Sequence, residues 1–363
     1  MSDLTVEIAS KVKDACIQQQ PLIIKAGDTK PFYGRNIQAE TFSIAKHTGV
    51  IEYEPSELYI SARSGTSLQE IQETIAQHNQ MLPCEPALFG KSATLGGMVA
   101  CGLSGPRRPY AGSVRDCILG TEIINGNGDP LHFGGRVMKN VAGYDVSRLM
   151  CGALGTLGII TSVTIRLLPM PEHEETIALT VDLDSAIKLM NQWANTPMPI
   201  SATFYDGKNL FIRLSSSLSA ARACKSKIGG DSITNSETFW NDVKEHIHPF
   251  FVSENPLWRI SVPPNTAKLD IPGKNVLEWN GALRWYITDT HESKIRSEVE
   301  QIGGHATLFK GCSTGKTPGQ STDQFSGQVF HPLSETSMKI HQKLKQVLDP
   351  AGILNPGKMF AEL

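Results

Sequence analysis

The sequence lacks most of the features that would settle a function quickly. Its seven cysteines, at positions 16, 84, 101, 117, 151, 224 and 312, form no CxxC pair and no ferredoxin-like spacing, and an odd number closes no disulfide framework. They read as reduced thiols, so any iron–sulfur cluster the function needs belongs to a partner. The formal net charge is only −2, which gives no electrostatic footprint for nucleic acid or an anionic membrane surface. Acids and lysines interrupt the first twenty residues throughout, so they have no apolar core of a secretory signal, and a cytoplasmic chain is expected. The longest uncharged run in the middle, residues 149–165, contains three glycines and falls short of the roughly 20 apolar residues of a spanning helix. A buried strand with a turn is expected there. Among the histidines only His246 and His248 lie close in sequence, with no third ligand beside them, so no metal site is expected.

Two nucleotide signatures are missing as well. "EPALFGKS" ends like a Walker loop at Gly90-Lys91-Ser92, but Glu85 stands where its first glycine must be, and "GCSTGKT" is one residue out of register. No GxGxxG follows a strand and opens a helix.

Glycine is what the chain has in excess locally: almost half of its 32 glycines fall within residues 90–158. Residues 90–115 read "GKSATLGGMVACGLSGPRRPYAGSVR", a backbone bare enough to lie against a ligand. Three separated segments share this character: residues 25–34, 93–105 and 152–160. Separated loops of this kind suit one long, mostly flat ligand, and a dinucleotide with an extended flavin end fits the spread.

The remaining pattern is that of an α+β protein. Leu4, Ile8, Val12, Ala15 and Cys16 share a helical face. Ser67 and Glu70 form a capping box before the buried stripe Leu68, Ile71 and Ile75. Residues 117–133 read as strand, Asn-Gly turn and returning strand. Residues 158–169 alternate, with Ile159, Val163, Ile165 and Leu167 against Ser162, Thr164 and Arg166, which predicts a half-buried strand. A Pro- and Glu-rich stretch, "PMPEHEE", marks a domain boundary near residue 170. A closing helix is stopped by Asp349-Pro350 and followed by "AGILNPGKMF".

At this point the segments "PLIIKAGDTKPFYG", "LPCEPALFGKSATLGGMVACGLSGPRRPYAGSVRDCILG", "VMKNVAGYDVSRLMCGALGTLGIIT" and "LDPAGILNPGKMF" resemble the FAD-binding oxidases of the vanillyl-alcohol oxidase type. More narrowly, with "LWRISVP", "GALRW" and "IGGHATLF", the chain is similar end to end to the E subunits of bacterial glycolate oxidases. The resemblance implies a PCMH-type FAD-binding domain of two α/β subdomains at residues 1–170, a smaller α+β cap facing substrate or a partner at 171–325, and a C-terminal segment, 326–363, packing back on the FAD domain. It implies a diphosphate loop at Lys25, Ala26, Gly27, Asp28, Thr29 and Lys30, with one glycine of the family's three retained. It places further FAD contacts on Pro86, Thr94, Gly96, Gly97, Ser104, Gly105 and Gly112, an adenine side on Gly155, Gly158 and Ile160, and a contact from Asn355. No histidine lies in residues 22–35, so noncovalent FAD is expected. The implied partners are a homologous flavoprotein D subunit and an iron–sulfur F subunit, with a small 2-hydroxy acid as substrate. Contact with the inner membrane would then be peripheral and through the complex.

Oxidising a 2-hydroxy acid needs a cation for its carboxylate, a base for its hydroxyl proton, and a flavin to take the hydride. Arg259 in "LWRIS" and Arg284 in "GALRW" are the candidate cations, each alternatively an ordinary strand arginine. His305, between two glycines and small residues, is the candidate base, alternatively a structural histidine. Two functions of different class follow: a flavoenzyme oxidising glycolate and D-lactate at its own site, or an FAD-carrying relay or assembly subunit whose D partner does the chemistry. Arg107 and Arg108 in "GPRRP" stay open between a diphosphate contact, a substrate-carboxylate contact and a docking surface.

Overall fold

The computed structural model describes residues 2–135, 145–311, 321–322 and 325–363. Cys312 and part of the third quoted segment, residues 136–144, therefore lie outside the described residues. The chain divides into two units. The first is Met1–Ser104, Gly112–Met170 and Pro332–Leu363; the second is Gly105–Ala111 and Pro171–His331.

In the first unit, five antiparallel strands lie in the order Val50–Glu54, Tyr59–Arg63, Ile159–Arg166, Ile118–Ile124 and Pro130–Gly134. Leu68, Ile71 and Ile75 of the helix Leu68–Ala76 pack with Leu95, Met98 and Val99 of the helix Leu95–Cys101 against Ile60, Ala62, Val163 and Ile165. Each of the larger of these side chains contributes about 1.5–3 kcal/mol by leaving water. Strand Ile159–Arg166 is more buried at its start than the alternation suggests. It is the central strand, and its polar side is partly buried, with Ser162 buried and donating to Glu122 (3.0 Å) and half-buried Thr164 donating to Ser61 (3.1 Å). Alternation in sequence reports a polar face but not whether water reaches it.

A second core joins the N- and C-terminal segments. Ile8, Val12 and Ala15 of the helix Thr5–Ile17 meet Leu22, Ile44, Ile353 and Leu354. Leu22–Lys25 pairs in parallel with Glu40–Ser43 and is bridged by Leu354 on its other side. Residues 26–39 therefore leave a sheet edge tied down by both ends of the chain.

The second unit is built on an eight-stranded antiparallel sheet in the order Asp231–Ser232, His173–Thr180, Asn209–Ser216, Ile200–Tyr205, Lys274–Glu278, Leu283–Ile287, Leu257–Ser261 and His305–Lys310. Its two faces differ. Ile177, Leu210, Ile212, Leu214 and Leu277 pack under the helices Leu183–Ala194 and Leu218–Ile228, and Trp258, Ile260, Tyr286 and Leu308 pack under Glu292–Glu300. Residues directly opposite in register share a face. Arg259 is opposite Trp285 and Thr307, Ser261 is opposite His305, and Glu278 is opposite Phe204, which is opposite Phe211. These belong to the other face, with Arg213, Ser215 and Glu174 further along it.

The "GPRRP" segment belongs to this second unit. The Gly105 carbonyl accepts from the Trp279 indole (3.0 Å), Tyr110 donates to Asn280 (2.9 Å), and buried Arg107 pairs with Glu174 (2.5 Å). Both chain ends of this heptapeptide continue into the first unit, so the boundary near residue 170 is one of several chain crossings.

Candidate cofactor site

The turn that follows strand Leu22–Lys25 opens a cleft of about 250 Å³ in the first unit. Lys25, Ala26, Gly27, Asp28, Thr29 and Lys30 form one wall, Thr94 and Gly97 another, and Leu154, Asn355 and Lys358 close it. Among the described residues, the amides of Gly27, Asp28 and Thr29 donate to no protein acceptor. Asp28 has φ +47°, a left-handed residue of the kind that turns successive N–H groups toward one side and makes an anion-binding nest.

The same geometry accounts for the reduced glycine count of this loop. A Cβ on Gly27 would lie 1.7 Å from the Ser92 carbonyl oxygen, so this position admits no side chain. Asp28 takes the left-handed conformation that glycine adopts at least cost, and its carboxylate is held by the Lys25 ammonium at 2.8 Å. Ser92 in turn donates to the Gly27 carbonyl (2.7 Å), locking the two glycine-rich segments together.

Charge follows the backbone. Lys25, Lys30 and Lys358 surround the cleft, with Asp28 as the one lining carboxylate among the described residues, an excess of positive charge suited to a diphosphate. Lys30 donates to the Leu88 carbonyl (3.2 Å) and lies over the Phe89 ring at 5.6 Å. Burial, joined by the Lys25 charge, pushes the Lys358 ammonium below its ordinary pKa. Burial pushes the Cys101 thiol up, so it lines the cleft as an inert group.

Asn355 is engaged differently from a ligand contact. Its Oδ1 accepts from the Ile24 amide (2.8 Å) and its Nδ2 donates to the Leu154 carbonyl (2.7 Å). It joins three cleft segments with its amide. Behind it, buried Lys345 donates to the carbonyls of Thr156 and Leu354 and to Asp349, whose carboxylate accepts from the Ile353 and Leu354 amides. Sequence reasoning missed Lys358; the lysine of "NPGK" was its signal, legible only once Asn355 is known to turn that segment into the cleft.

Of the residues expected at FAD, Lys25 to Lys30, Thr94, Gly97 and Asn355 line the cleft. The others serve its frame. Gly96 lets its helix approach Ser64 (2.6 Å from a Cβ), and Gly155, at φ +71°, makes room for Asn355. Gly158 packs on Ile123, and Ile160 and Pro86 are buried in the unit. Ser104 accepts from the Val114 amide and Gly112 turns against Asp116, so both shape a turn outside the lining. Gly105 falls in the second unit.

Among the catalytic candidates, Arg284 is used otherwise. It is buried and donates to the backbone carbonyls of Thr266, Ala267 and Gly281, which consumes its fork in holding a loop. Arg259 lies on the polar face, its guanidinium 5.2 Å from the Trp279 ring centre. His305 starts its strand opposite Ser261; partial burial first, then the Arg259 and His331 charges, lower its pKa. Among the described residues no group of three or more His, Cys, Asp or Glu side chains is placed to hold a metal, and no helix is long and apolar enough to cross a membrane.

A family described as "FAD binding domain" matches residues 5–134, and one described as "FAD linked oxidases, C-terminal domain" matches residues 331–359; the two ranges hold every lining residue of the cleft but Leu154. The amide nest, the bare Gly27 and the lysines fit the diphosphate of FAD. In fold the chain is similar to an alkyldihydroxyacetonephosphate synthase structure, with a TM-score of 0.68 at 15 % identity over 98 % of this chain and 76 % of that one. In sequence it is 28 % identical over 208 residues to glycolate oxidase subunit GlcD of Bacillus subtilis (strain 168), which covers 56 % of this chain and 44 % of the relative. It is 41 % identical over 361 residues to glycolate oxidase subunit GlcE of Escherichia coli (strain K12), covering 99 % of each. This PCMH-type FAD-binding chain therefore belongs to the family of glycolate oxidase subunit GlcE.

Proposed function

We propose that this chain is the FAD-binding E subunit of a glycolate-oxidising complex, converting glycolate, and D-lactate as a longer 2-hydroxy acid, to the 2-oxo acid. The observation that carries the reading is the end-to-end 41 % identity to GlcE together with an amide nest at the cleft that the FAD-binding family spans. FAD bound there supplies the acceptor for the two electrons and hydrogen leaving the substrate carbon. The protein's part is to hold and to orient. The Gly27, Asp28 and Thr29 amides and the Lys30 and Lys358 ammoniums hold the diphosphate, and Asn355 fixes the distance between the loops. With no histidine in that loop, the attachment is noncovalent. Arg259 holds the substrate carboxylate, and His305, kept neutral at pH 7 by its lowered pKa, takes the hydroxyl proton.

The partners in this reading are a homologous D flavoprotein, supported by the chain's likeness to GlcD, and an iron–sulfur F subunit that takes the electrons onward. The complex is cytoplasmic, reaching the inner membrane only peripherally. A second reading, a relay or assembly subunit, draws on the same likeness, since two homologous flavoproteins leave the oxidation to either one. Recording the visible spectrum of the purified chain and adding glycolate without oxygen separates them. A flavin band that bleaches in the chain alone supports oxidation here. Bleaching only after the D subunit is added supports the relay, and a colourless protein overturns both.

A further inference from the structure

A second cavity of the first unit, about 280 Å³, lies where the helix Val146–Leu149 and the turn after it meet the closing helix Glu335–Leu348. We infer that this cavity binds a small amphipathic carboxylate, an aliphatic body with one anionic head, at a site separate from the cofactor cleft.

Its lining combines an apolar part with a cationic one. Leu149, Leu157, Leu344 and Met359 bring apolar surface from four separate segments, and each is only half-buried. A Cβ on Gly152, also in the lining, would meet nothing within 4 Å, so the space beside that backbone is open. Arg115 and Arg148 supply the positive charge. Arg115 has no hydrogen-bond or ion-pair partner among the described residues, while its charge reaches the Cys151 thiol of the same lining. Arg148 pairs through Nε with Asp145 at 3.4 Å, the one lining side-chain carboxylate among the described residues. The neighbouring charges are already engaged. Lys345 is held by Asp349 and by the Thr156 and Leu354 carbonyls, and Asp116 accepts from the Ser113 amide and hydroxyl. The Leu363 backbone oxygen accepts from the Gly357 amide. One guanidinium thus stands over apolar surface without an anion, the complement of a carboxylate with an apolar tail.

The cavity and the cofactor cleft have no lining residue in common, yet they are built on the same two segments. Leu154 and Lys358 line the cleft, whereas Ala153, Thr156 and Met359 line the second cavity. Thr156 holds that partition, its hydroxyl donating to the Ala153 carbonyl (2.7 Å) and meeting the Met359 sulfur at 3.9 Å. Burial pushes the Cys151 thiol up to about 12, so the site binds its ligand without a covalent step. The volume is at the small end for ligand pockets, which favours a small molecule over a protein segment. A neutral alcohol lacks the charge that Arg115 matches, and a short acid lacks the body that the leucines cover.

The site does not depend on the hydroxy-acid reading. Octanoate is titrated by calorimetry into the purified full-length chain, with FAD saturating and again without it. The expected result is one saturable site in both forms, weakened at least tenfold by Arg115→Met and by Leu344→Glu, and less by Arg115→Lys. Lys343→Met, an exposed position of the same helix outside the lining, leaves the affinity unchanged. Octylammonium and 1-octanol show no saturable binding, and excess glycolate does not displace octanoate. Thermal midpoints are measured alongside; Arg115 is exposed, so Arg115→Met keeps the parent's melting and its loss of binding is not a loss of fold. Displacement of octanoate by FAD overturns the inference and makes the cavity an extension of the cofactor cleft. Absent saturable binding overturns it as well. So does equal weakening in Lys343→Met, or 1-octanol binding as tightly as octanoate, since either shows adventitious apolar binding.

Discussion

The cleft of the first unit and the sheet face of the second that carries Arg259 gather their polar groups by opposite means. The first uses backbone: three amides in a turn, a glycine with no room for a side chain, and loops clamped by Ser92 and Asn355. The second uses side chains: Arg259 and His305 on strands brought together by register, with the Arg108 and Arg259 guanidiniums against the Trp279 indole of a neighbouring turn. Backbone donors keep their charge and position at any pH and tolerate almost any side chain that points away. Side-chain donors are stronger and more selective, but depend on rotamers and neighbours. Each unit fails differently when altered.

The largest expected effect comes from the backbone site. Gly27→Ala places a methyl group 1.7 Å from the Ser92 oxygen, so the diphosphate turn and the 90–93 segment must separate. FAD affinity is expected to fall more than 100-fold, roughly the loss of two charge-assisted hydrogen bonds at about 1.5 kcal/mol or more each. Gly97→Ala lines the same cleft, but its Cβ meets only Thr94 Oγ1 at 3.2 Å, inside a helix where alanine is favoured. Its affinity is expected to stay within about threefold of the parent. Fluorescence titration of the apoprotein with FAD reads both. Equal losses in the two variants would break the claim that Gly27 is held by close packing.

Asn355 comes next. Asn355→Ala leaves the Ile24 amide and the Leu154 carbonyl unpaired in a buried place, at about 1–3 kcal/mol each. Asn355→Asp keeps an acceptor for Ile24 but sets an oxygen against the Leu154 carbonyl. Both are expected to weaken FAD about 10- to 100-fold and to lower the melting temperature by several degrees, even in the apoprotein. A residue that only touched FAD would leave the apoprotein's melting unchanged, so differential scanning calorimetry without FAD decides between the two roles.

How much of this could be read from the sequence follows the same divide. The glycine-rich segments 25–34, 93–105 and 152–160 were legible because a bare backbone is visible in the letters themselves, and residues of all three line one cleft, whereas Asn355 was reached only through the family resemblance. Within that set, the reason for Gly27 was hidden, since the Ser92 carbonyl lies 65 residues away. The second unit was harder to read. Arg259 and Arg284 sit in similar apolar strand contexts, and only pairing register shows that one is on the polar face while the other spends its donors on Thr266 and Ala267. "GPRRP" was opaque for the same reason: its partners Glu174, Trp279 and Asn280 are distant in sequence. Local composition reports backbone freedom well and side-chain company poorly.

The smallest expected effect separates the units by pH. In the second unit His246 stacks on Phe251 at 3.9 Å and meets the edges of Trp285 and Phe309, and burial, then the Lys310 and Arg259 charges, push its pKa well below 6.5. His248, against Phe204 and Phe239, is lowered by burial as well. A histidine lowered in the folded state binds its proton more readily when unfolded. Its contribution to stability is therefore complete above pH 6.5 and is lost as pH falls through 6.5 toward the depressed folded value. Among the described residues of the first unit, His47 is the comparable group, held between the Leu4 amide and the Thr161 carbonyl, and no histidine lines the cleft. Between pH 7 and 5.5, hydrogen exchange in strands Leu257–Ser261 and Leu283–Ile287 is expected to speed up more than in the segments lining the cleft. His246→Asn suits the site's φ of +56°, which asparagine tolerates, and removes the titrating ring. It is expected to flatten the acid dependence of the second unit while leaving that of the first unchanged. Equal acceleration in both units, or an unaltered pH dependence in His246→Asn, would show that the acid sensitivity comes from elsewhere in the chain.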